Sequence, residues 1–592
     1  MADPTIAVIR FGDLAVLIIY LLITFGVGLW AGMRAKTTEG YFVAGRGMSG
    51  WAVGISILGT AISSITFLAY PGSAYDGNFS RIVPGLAFPV GALMGIYVFV
   101  PFYRQTGYIS AYTYFERRFG LWARVYVCLL FSLAQFWRMG LILYLLSVAM
   151  NQMSPQMNLQ VSIFWIGVFV TVYTVLGGIE AVIWTDVFQT IVLILGGLAV
   201  VIAVFLTVDG GAWTVLSMGY ENGKFSLFGK DVASAFDLSF SRDTLLMLFI
   251  IGSIGSVCEF ALDQTHVQRY IAAESDKAAR RAVWIGAGGC VPVWLLFMFV
   301  GTCLWVFYQL FPSHLPREML ADEVFPFYIL HELPNGLGGL VIAGVLAAAM
   351  SSISSCISAT ATVMTEDIYK RILFPGQVDS HYLKIGKTIS ALSGACMIVI
   401  ALWLTTMRQE TILEMCFVVG AMLGGAMGGM FLVGFFTTRA NNFGLIVGVI
   451  LSTIATFGMT YIEAKAMMWE SRVSWMIEDM TKSGEIDTKA LRAEISAEAQ
   501  AQGKTLKLAE VLKIEKDRIR ASLEDRIQAK LGPQPPHLGE AIGFHPFMMG
   551  VLSNLVAFIV GYFFSFLRPP KSLKELGGLT WKTRHLPKFE GI

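Results

Sequence analysis

Apolar and polar positions alternate along this chain on the scale of a membrane rather than of a helix face. Windows of about 19 residues pick out apolar runs near 12–33, 51–75, 82–103, 122–150, 160–177, 186–207, 242–265, 282–310, 337–364, 384–405, 410–436, 442–462 and 545–567. Each is near the ~20 residues that an α-helix needs to cross ~30 Å of hydrocarbon. The pattern predicts an all-α membrane protein with about thirteen transmembrane helices. Residues 463–543 break it: "TKALRAEISAEAQAQGKTLKLAEVLKIEKDRIRASLEDRIQAKL" is rich in Ala, Leu, Glu and Lys at helical spacing and leads into "GPQPPH", a stiff polar connector. This insert reads either as a solvated charged helical segment or as an arm that contacts a partner or a second copy.

Composition agrees with the pattern. The 592 residues are 55% hydrophobic and only 14% charged, with a mean hydropathy of +0.65. A formal net charge of +2 gives no reason to expect nucleic acid or another polyanion as partner. All seven cysteines (Cys128, Cys258, Cys290, Cys303, Cys356, Cys396 and Cys416) fall in apolar segments without a C-x-x-C pair, so neither a disulfide framework nor a zinc site is expected. The first apolar run is too long for a signal-peptide core and is followed by Arg34 and Lys36, so it is expected to remain as a span.

Basic residues set the orientation. Loops 34–50, 104–121, 266–283 and 365–387 carry Arg34, Lys36, Arg46, Arg104, Arg117, Arg118, Arg269, Lys277, Arg280, Arg281, Lys370, Arg371 and Lys384, whereas 151–159 and 311–336 are poor in basic residues. The positive-inside rule places the N-terminus outside and, with an odd number of spans in the plasma (cell inner) membrane, the basic tail in the cytoplasm. The insert then faces outside.

Two spans carry residues that hold a helix poorly. The second, "WAVGISILGTAISSITFLAYPGSAYDG", contains Gly54, Gly59, Ser63, Ser64, Thr66, Pro71 and Gly72; the seventh contains Gly252, Ser253, Gly255 and Ser256. A mid-membrane break frees carbonyls, which the bilayer tolerates only where they line an enclosed site. Two such helices about 190 residues apart, each opening a set of five spans, fit an inverted repeat around a central binding site; small residues for close helix packing are the plainer reading. The chain divides into 1–50 (an extra helix and loop), repeats at 51–207 and 242–436, an additional helix at 442–462, the insert at 463–543, and 545–592 (last helix and tail).

The ninth span supplies the chemistry. Ser351, Ser354, Ser355 and Ser358 lie at i, i+3, i+4 and i+7, with Ser352 beside them. One such hydroxyl ordinarily bonds its own i−4 carbonyl or a neighbouring helix. A stripe of hard neutral oxygens facing freed carbonyls suits a small hard cation such as Na⁺. Asp186 either caps the sixth span or, if deeper, is an intramembrane acid with a function. Arg138, inside "LAQFWRMGLILYLLSVAMN", costs at least ~2.5–3.5 kcal/mol at a helix centre unless paired. Its fork suits a carboxylate, either a solute's or one of the protein's own, with Glu259 the internal candidate.

Five segments, "YFVAGRGMSGWAVGISILGTAIS", "SAYTYFERRFG", "YTVLGGIEAVIWTDVFQT", "DQTHVQRYIAAES" and "AGVLAAAMSSISSCISATATVMTEDIYKR", resemble the sodium:solute symporters, in family order across residues 12–440. The resemblance implies a LeuT-like fold of two inverted five-helix repeats working by alternating access. It implies a principal Na⁺ site from the carbonyls of Gly59, Ile62 and Ala348 and the hydroxyls of Ser351 and Ser352. A second Na⁺ site, where members have one, maps to Asp186, Ser354 and Ser355. Arg138 matches the arginine that sialic-acid and monocarboxylate members place for the substrate carboxylate, and Ser63 and Thr66 match polar positions of that pocket. The asparagine, tyrosine and lysine of the sugar branch are not found near Ser256, Glu259 and Cys290, and Glu259 fits neither group. The expected function is Na⁺-coupled uptake of a small organic solute, a sialic acid or smaller carboxylate, without an organic cofactor. The alternatives are a sugar or zwitterion symporter and a non-transporting sensor. No nucleophile–base pair, phosphate loop or metal triad points to an enzyme, and the oligomeric state is left open.

Overall fold

The computed structural model describes residues 10–585 except 154–155, 229–236, 238, 241–243, 317–318, 408–418, 421, 484 and 502–507. The principal helices are α1 (Phe11–Gly32), α2 (Gly50–Ala61), α3 (Ser64–Asp76), α4 (Phe79–Thr106), α5 (Leu121–Met153), α6 (Leu159–Thr207), α7 (Leu245–Leu262), α8 (Gln264–Ala272), α9 (Asp276–Leu310), α10 (Leu337–Val363), α11 (Asp379–Leu404), α12 (Met427–Phe436), α13 (Asn442–Lys482) and α14 (Met549–Phe564). At about 1.5 Å per residue, the 49 residues of α6 exceed twice the thickness of the hydrocarbon layer. Gly178, at φ 59° and ψ −151°, bends it into two crossings. A Cβ there would lie 2.4 Å from the Tyr41 carbonyl oxygen, so only glycine fits the bend. With α6 counted twice and α2/α3 as one broken span, the described helices long enough to cross give twelve of the thirteen expected crossings. Part of the span expected at 410–436, with Cys416, lies outside the described residues.

The two expected interruptions have different outcomes. In the second span, α2 and α3 meet at a bend of 56°, with Ile62 at φ −98° and ψ 110° between them. In the seventh, Gly252, Ser253, Gly255 and Ser256 do not break the helix; α7 runs through them to Leu262 and stops at Asp263, whose side chain caps α8 by accepting from the Thr265 amide at 2.8 Å. Close packing explains the small residues: a Cβ on Gly252 would lie 2.4 Å from the Pro84 carbonyl oxygen, and one on Gly91 equally close to Ser256.

The additional helix expected to end at 462 continues as α13 to Lys482. Past the expected end it carries Trp469, Val473 and Met476, which pack on Ile519, Leu523 and Ile527 of the insert. The insert thus has a small apolar core of its own.

At the centre of the bundle stands α10, buried at every residue from Val341 to Val363. Its N-terminus is held by α1: Asp13 Oδ1 accepts from the amides of Gly336 (2.8 Å) and Gly339 (2.7 Å), while Arg10 donates to Asp13 Oδ2 at 2.8 Å and to the Leu333 carbonyl at 2.6 Å. A carboxylate there satisfies orphan amides and the positive end of the helix dipole. The end of the bundle that carries the basic loops is tied by ion pairs. Arg124 bridges Glu116 and Asp367, Arg371 holds Glu116 at 2.6 Å, and Arg104 holds Asp276 at 2.7 Å. Replacing Asp13 by alanine leaves the buried Gly339 amide and the half-buried Gly336 amide without an acceptor, and about 1–3 kcal/mol of stability is expected to be lost; a lowered unfolding midpoint of the detergent-purified chain is the check.

Candidate functional site

The break between α2 and α3 lies against the middle of α10. In an unbroken helix the carbonyls of Gly59 and Thr60 would accept from the amides of Ser63 and Ser64. Here Ser351 Oγ donates to the Gly59 carbonyl at 2.9 Å, and Ser352 Oγ lies 3.4 Å from that of Thr60. Both hydroxyls are also 3.3 Å from the Ala348 carbonyl. Ile62, Ala348, Ser351 and Ser352 are buried. The structure therefore gathers Gly59, Ala348, Ser351 and Ser352 into one cluster of oxygens beside Ile62. Close approach of α6 to the break requires a glycine at 59, where a Cβ would lie 2.3 Å from Thr190 Oγ1. Neutral carbonyl and hydroxyl oxygens in a dry pocket fit an alkali cation, which needs hard donors and no deprotonated ligand.

Next to this cluster lies a pair of charges that sequence reasoning did not link. Asp186 is wholly buried in the interior of α6, eight residues after the Gly178 bend, so it does not cap a helix. Its Oδ2 accepts from Arg269 Nη2 at 2.8 Å and from Ser56 Oγ at 2.5 Å. Arg269, also buried, donates to Ser56 Oγ (2.8 Å), the Thr265 carbonyl (2.6 Å) and Ser355 Oγ (2.6 Å). The Ser355 hydroxyl donates to the Ser351 carbonyl at 2.7 Å and lies 3.0 Å from Thr60 Oγ1, which itself donates to the Ser56 carbonyl at 2.8 Å. Ser354 donates to the Ser351 carbonyl at 3.1 Å. Asp186 Oδ1 is buried without a hydrogen bond, as are both amide atoms of Gln189 one turn on. Of the three residues expected at a second cation site, Asp186 Oδ1 has no hydrogen bond, whereas Ser355 Oγ accepts from Arg269. Signals for Arg269 were the polar pair Gln268–Arg269 amid "DQTHVQRYIAAES" and the cost of a buried arginine; its partner, 83 residues away, left no local mark.

Of the remaining expected residues, Arg138 and Glu259 lie near the break between α7 and α8, and Ser63, Thr66 and Ser256 lie elsewhere. Arg138, deep in α5, keeps 38% of its side chain accessible and lies 3.8 Å from Asp263 Oδ2. Glu259, the internal partner expected for it, is not within ion-pair distance and instead lies 3.7 Å from His266 Nε2. Asp263 has this place because it ends the helix at the level of Arg138, whereas Glu259 is one turn earlier. Ser63 stands half-buried at the α2/α3 break and Thr66 is buried in α3. Ser256 is turned away: its hydroxyl donates to the Ser253 carbonyl at 3.0 Å and reaches that of Ala87 at 3.4 Å, against α4. Among the described residues no three of His, Cys, Asp or Glu converge as a transition-metal site.

The chain matches the model of the sodium:solute symporter family over residues 41–452. It is 33% identical over 440 residues to the sodium/sialic acid symporter NanT of Aliivibrio fischeri, covering 74% of this chain and 85% of that one. To the sodium/sialic acid symporter SiaT of Proteus mirabilis it is 33% identical over 454 residues, covering 76% and 90%. A solved structure, the substrate-bound outward-open state of a Na⁺-coupled sialic acid symporter, superposes with a TM-score of 0.74 at 28% identity, over 95% of this chain and all of that one.

The Asp186–Arg269 pair gives a direct test of this geometry. Arg269→Met leaves a buried carboxylate uncompensated and is expected to destabilise the chain by about 3–5 kcal/mol. Adding Asp186→Asn in the same chain should recover most of that loss, read from unfolding midpoints of the two variants.

Proposed function

Because the chain belongs to the sodium:solute symporter family, we propose that the solute it carries inward with sodium is a carboxylate of the sialic acid class. Its fold is LeuT-like, Na⁺ is the coupling ion, and transport proceeds by alternating access in a multi-pass membrane protein. The observation that carries the reading of the site is the seating of the Ser351 hydroxyl on the Gly59 carbonyl, 2.9 Å away, where α2 ends.

In this proposal the principal Na⁺ is held by the carbonyls of Gly59, Ile62 and Ala348 and the hydroxyls of Ser351 and Ser352. Binding ties α2 to α10 and thereby fixes the start of α3, where Ser63 and Thr66 face the solute. Arg138 takes the solute carboxylate in place of Asp263, a weak partner at 3.8 Å. Affinity is then reciprocal: the ion tightens the solute and the solute tightens the ion. A second Na⁺ is assigned to Asp186 and Ser354, and to Ser355 once Arg269 withdraws; the solved relative is described as revealing a novel Na⁺ site. The repeats are 51–207 and 242–436, with the N-terminus and the insert outside and the basic tail in the cytoplasm.

The carboxylates beside Arg138 favour one second reading, a zwitterionic cargo whose ammonium faces Asp263 or Glu259. Charge movement separates the two. A monoanion with two sodium ions moves one net charge, whereas a zwitterion moves two, and each charge contributes ~2.3 kcal/mol per 100 mV. The expected result in proteoliposomes is Na⁺-driven uptake of sialic acid with one net positive charge per solute, abolished by Arg138→Gln. Two charges per solute, or sialic acid uptake unaffected by Arg138→Gln in folded protein, would contradict the proposal.

A further inference from the structure

Arg138 and Glu259 share an arrangement that the proposed carboxylate site alone does not explain. Both lie deep among the helices, each within electrostatic reach of the other and of Asp263. Yet Arg138 keeps 38% of its side chain accessible and Glu259 keeps 30%. That much exposed surface on two ionisable groups set among helices marks open space beside them. Among the described residues, no hydrogen bond reaches the guanidinium of Arg138 or the carboxylate of Glu259. Among the described residues, the one titratable neighbour of Glu259 within 4 Å is His266 Nε2, itself buried without a hydrogen-bond partner. The open space beside them therefore meets a guanidinium with free donors and, about one helical turn from the Arg138–Asp263 contact, a carboxyl group with free acceptors.

We propose that Glu259 is a specificity-determining residue, which accepts hydrogen bonds from N–H or O–H donors on a solute whose carboxylate rests on Arg138. The inference depends on the carboxylate reading above and narrows it to acids that carry donors elsewhere in the molecule. A bare carboxylic acid brings Arg138 its partner but leaves Glu259 desolvated against apolar solute. A second carboxylate would meet like charge. A hydroxylated or amide-bearing acid satisfies both groups, and sialic acids have both kinds of donor. Discrimination by an unpaired buried polar group is far stronger than discrimination by size, because the wrong solute strands the group.

Two ligands separate the possibilities: sialic acid, which has donors, and propionate, which has none. Their Kd values are measured on the purified full chain in saturating sodium. The wild type is expected to prefer sialic acid by at least ~100-fold. Glu259→Gln, which keeps size and one acceptor but removes the charge, should narrow that ratio by ~10-fold or more, chiefly through tighter propionate binding. Glu259→Asp retains the charge but withdraws it, and should weaken sialic acid by ~3–10-fold with propionate unchanged. Sodium-dependent unfolding midpoints establish that each variant is folded, and either variant suffices for the test. If both ligands bind the wild type and neither variant changes the ratio, the role of Glu259 is overturned while the carboxylate reading stands. If neither ligand binds the wild type, the carboxylate reading fails and takes this inference with it.

Discussion

A helix interrupted inside a membrane must find partners for the carbonyls that the break releases, and this one obligation organises the molecule. At Gly59 and Thr60 water is excluded and the chain's own amides have turned away. Serine hydroxyls from α10 occupy the vacancy, at 2.9 and 3.4 Å. A hydroxyl both donates and accepts, so the same oxygens that hold the cluster together without an ion can turn their lone pairs to one. Exchange of hydrogen bonds for ion coordination keeps the free-energy difference small. That suits a cargo ion, which must be released on the other side, better than a cage of carboxylates would.

Everything around this junction keeps it dry and in place. The serine helix is enclosed along its length and anchored at its N-terminus by Asp13. Charge near the cluster is balanced within the protein, because Arg269 neutralises Asp186 while reaching Ser56 and Ser355 on the helices that form the oxygen cluster. The second broken span contrasts with the first: among the described residues no serine stripe meets the stop at Asp263, and a guanidinium from α5 stands there instead. One break thus offers neutral oxygens to a cation, and the other offers a fixed cation to an anion. In the proposed function the ion and the solute would occupy different places, each at one of the two interruptions.

Much of this was legible in the residue order. Lengths of apolar runs gave the crossings, since the bilayer imposes a minimum length that a sequence must display. The serine stripe at 351–358 was legible because hydroxyls at helical spacing in an apolar segment demand partners. The seventh break was misplaced, because glycine and serine serve close packing as readily as interruption; only the coordinates separate Gly252 against Pro84 from Ile62 at the open bend. The pairing of Asp186 with Arg269, and of Arg138 with Asp263 rather than Glu259, depends on which faces meet in three dimensions. Linear spacing carries no record of that. The length of α13 was hidden by polarity, since a helix that leaves the membrane continues without an apolar signal.

The claim that the break and the serine helix form the ion cage is tested most directly by sodium titration of the purified chain. Its readout is the unfolding midpoint, which rises when an ion binds the folded state alone. The wild type should show a saturable rise with Na⁺, and the chain carrying both Ser351→Ala and Ser352→Ala should need at least ~10-fold more Na⁺ for the same rise. An identical titration for the two chains would place the ion elsewhere and contradict the account.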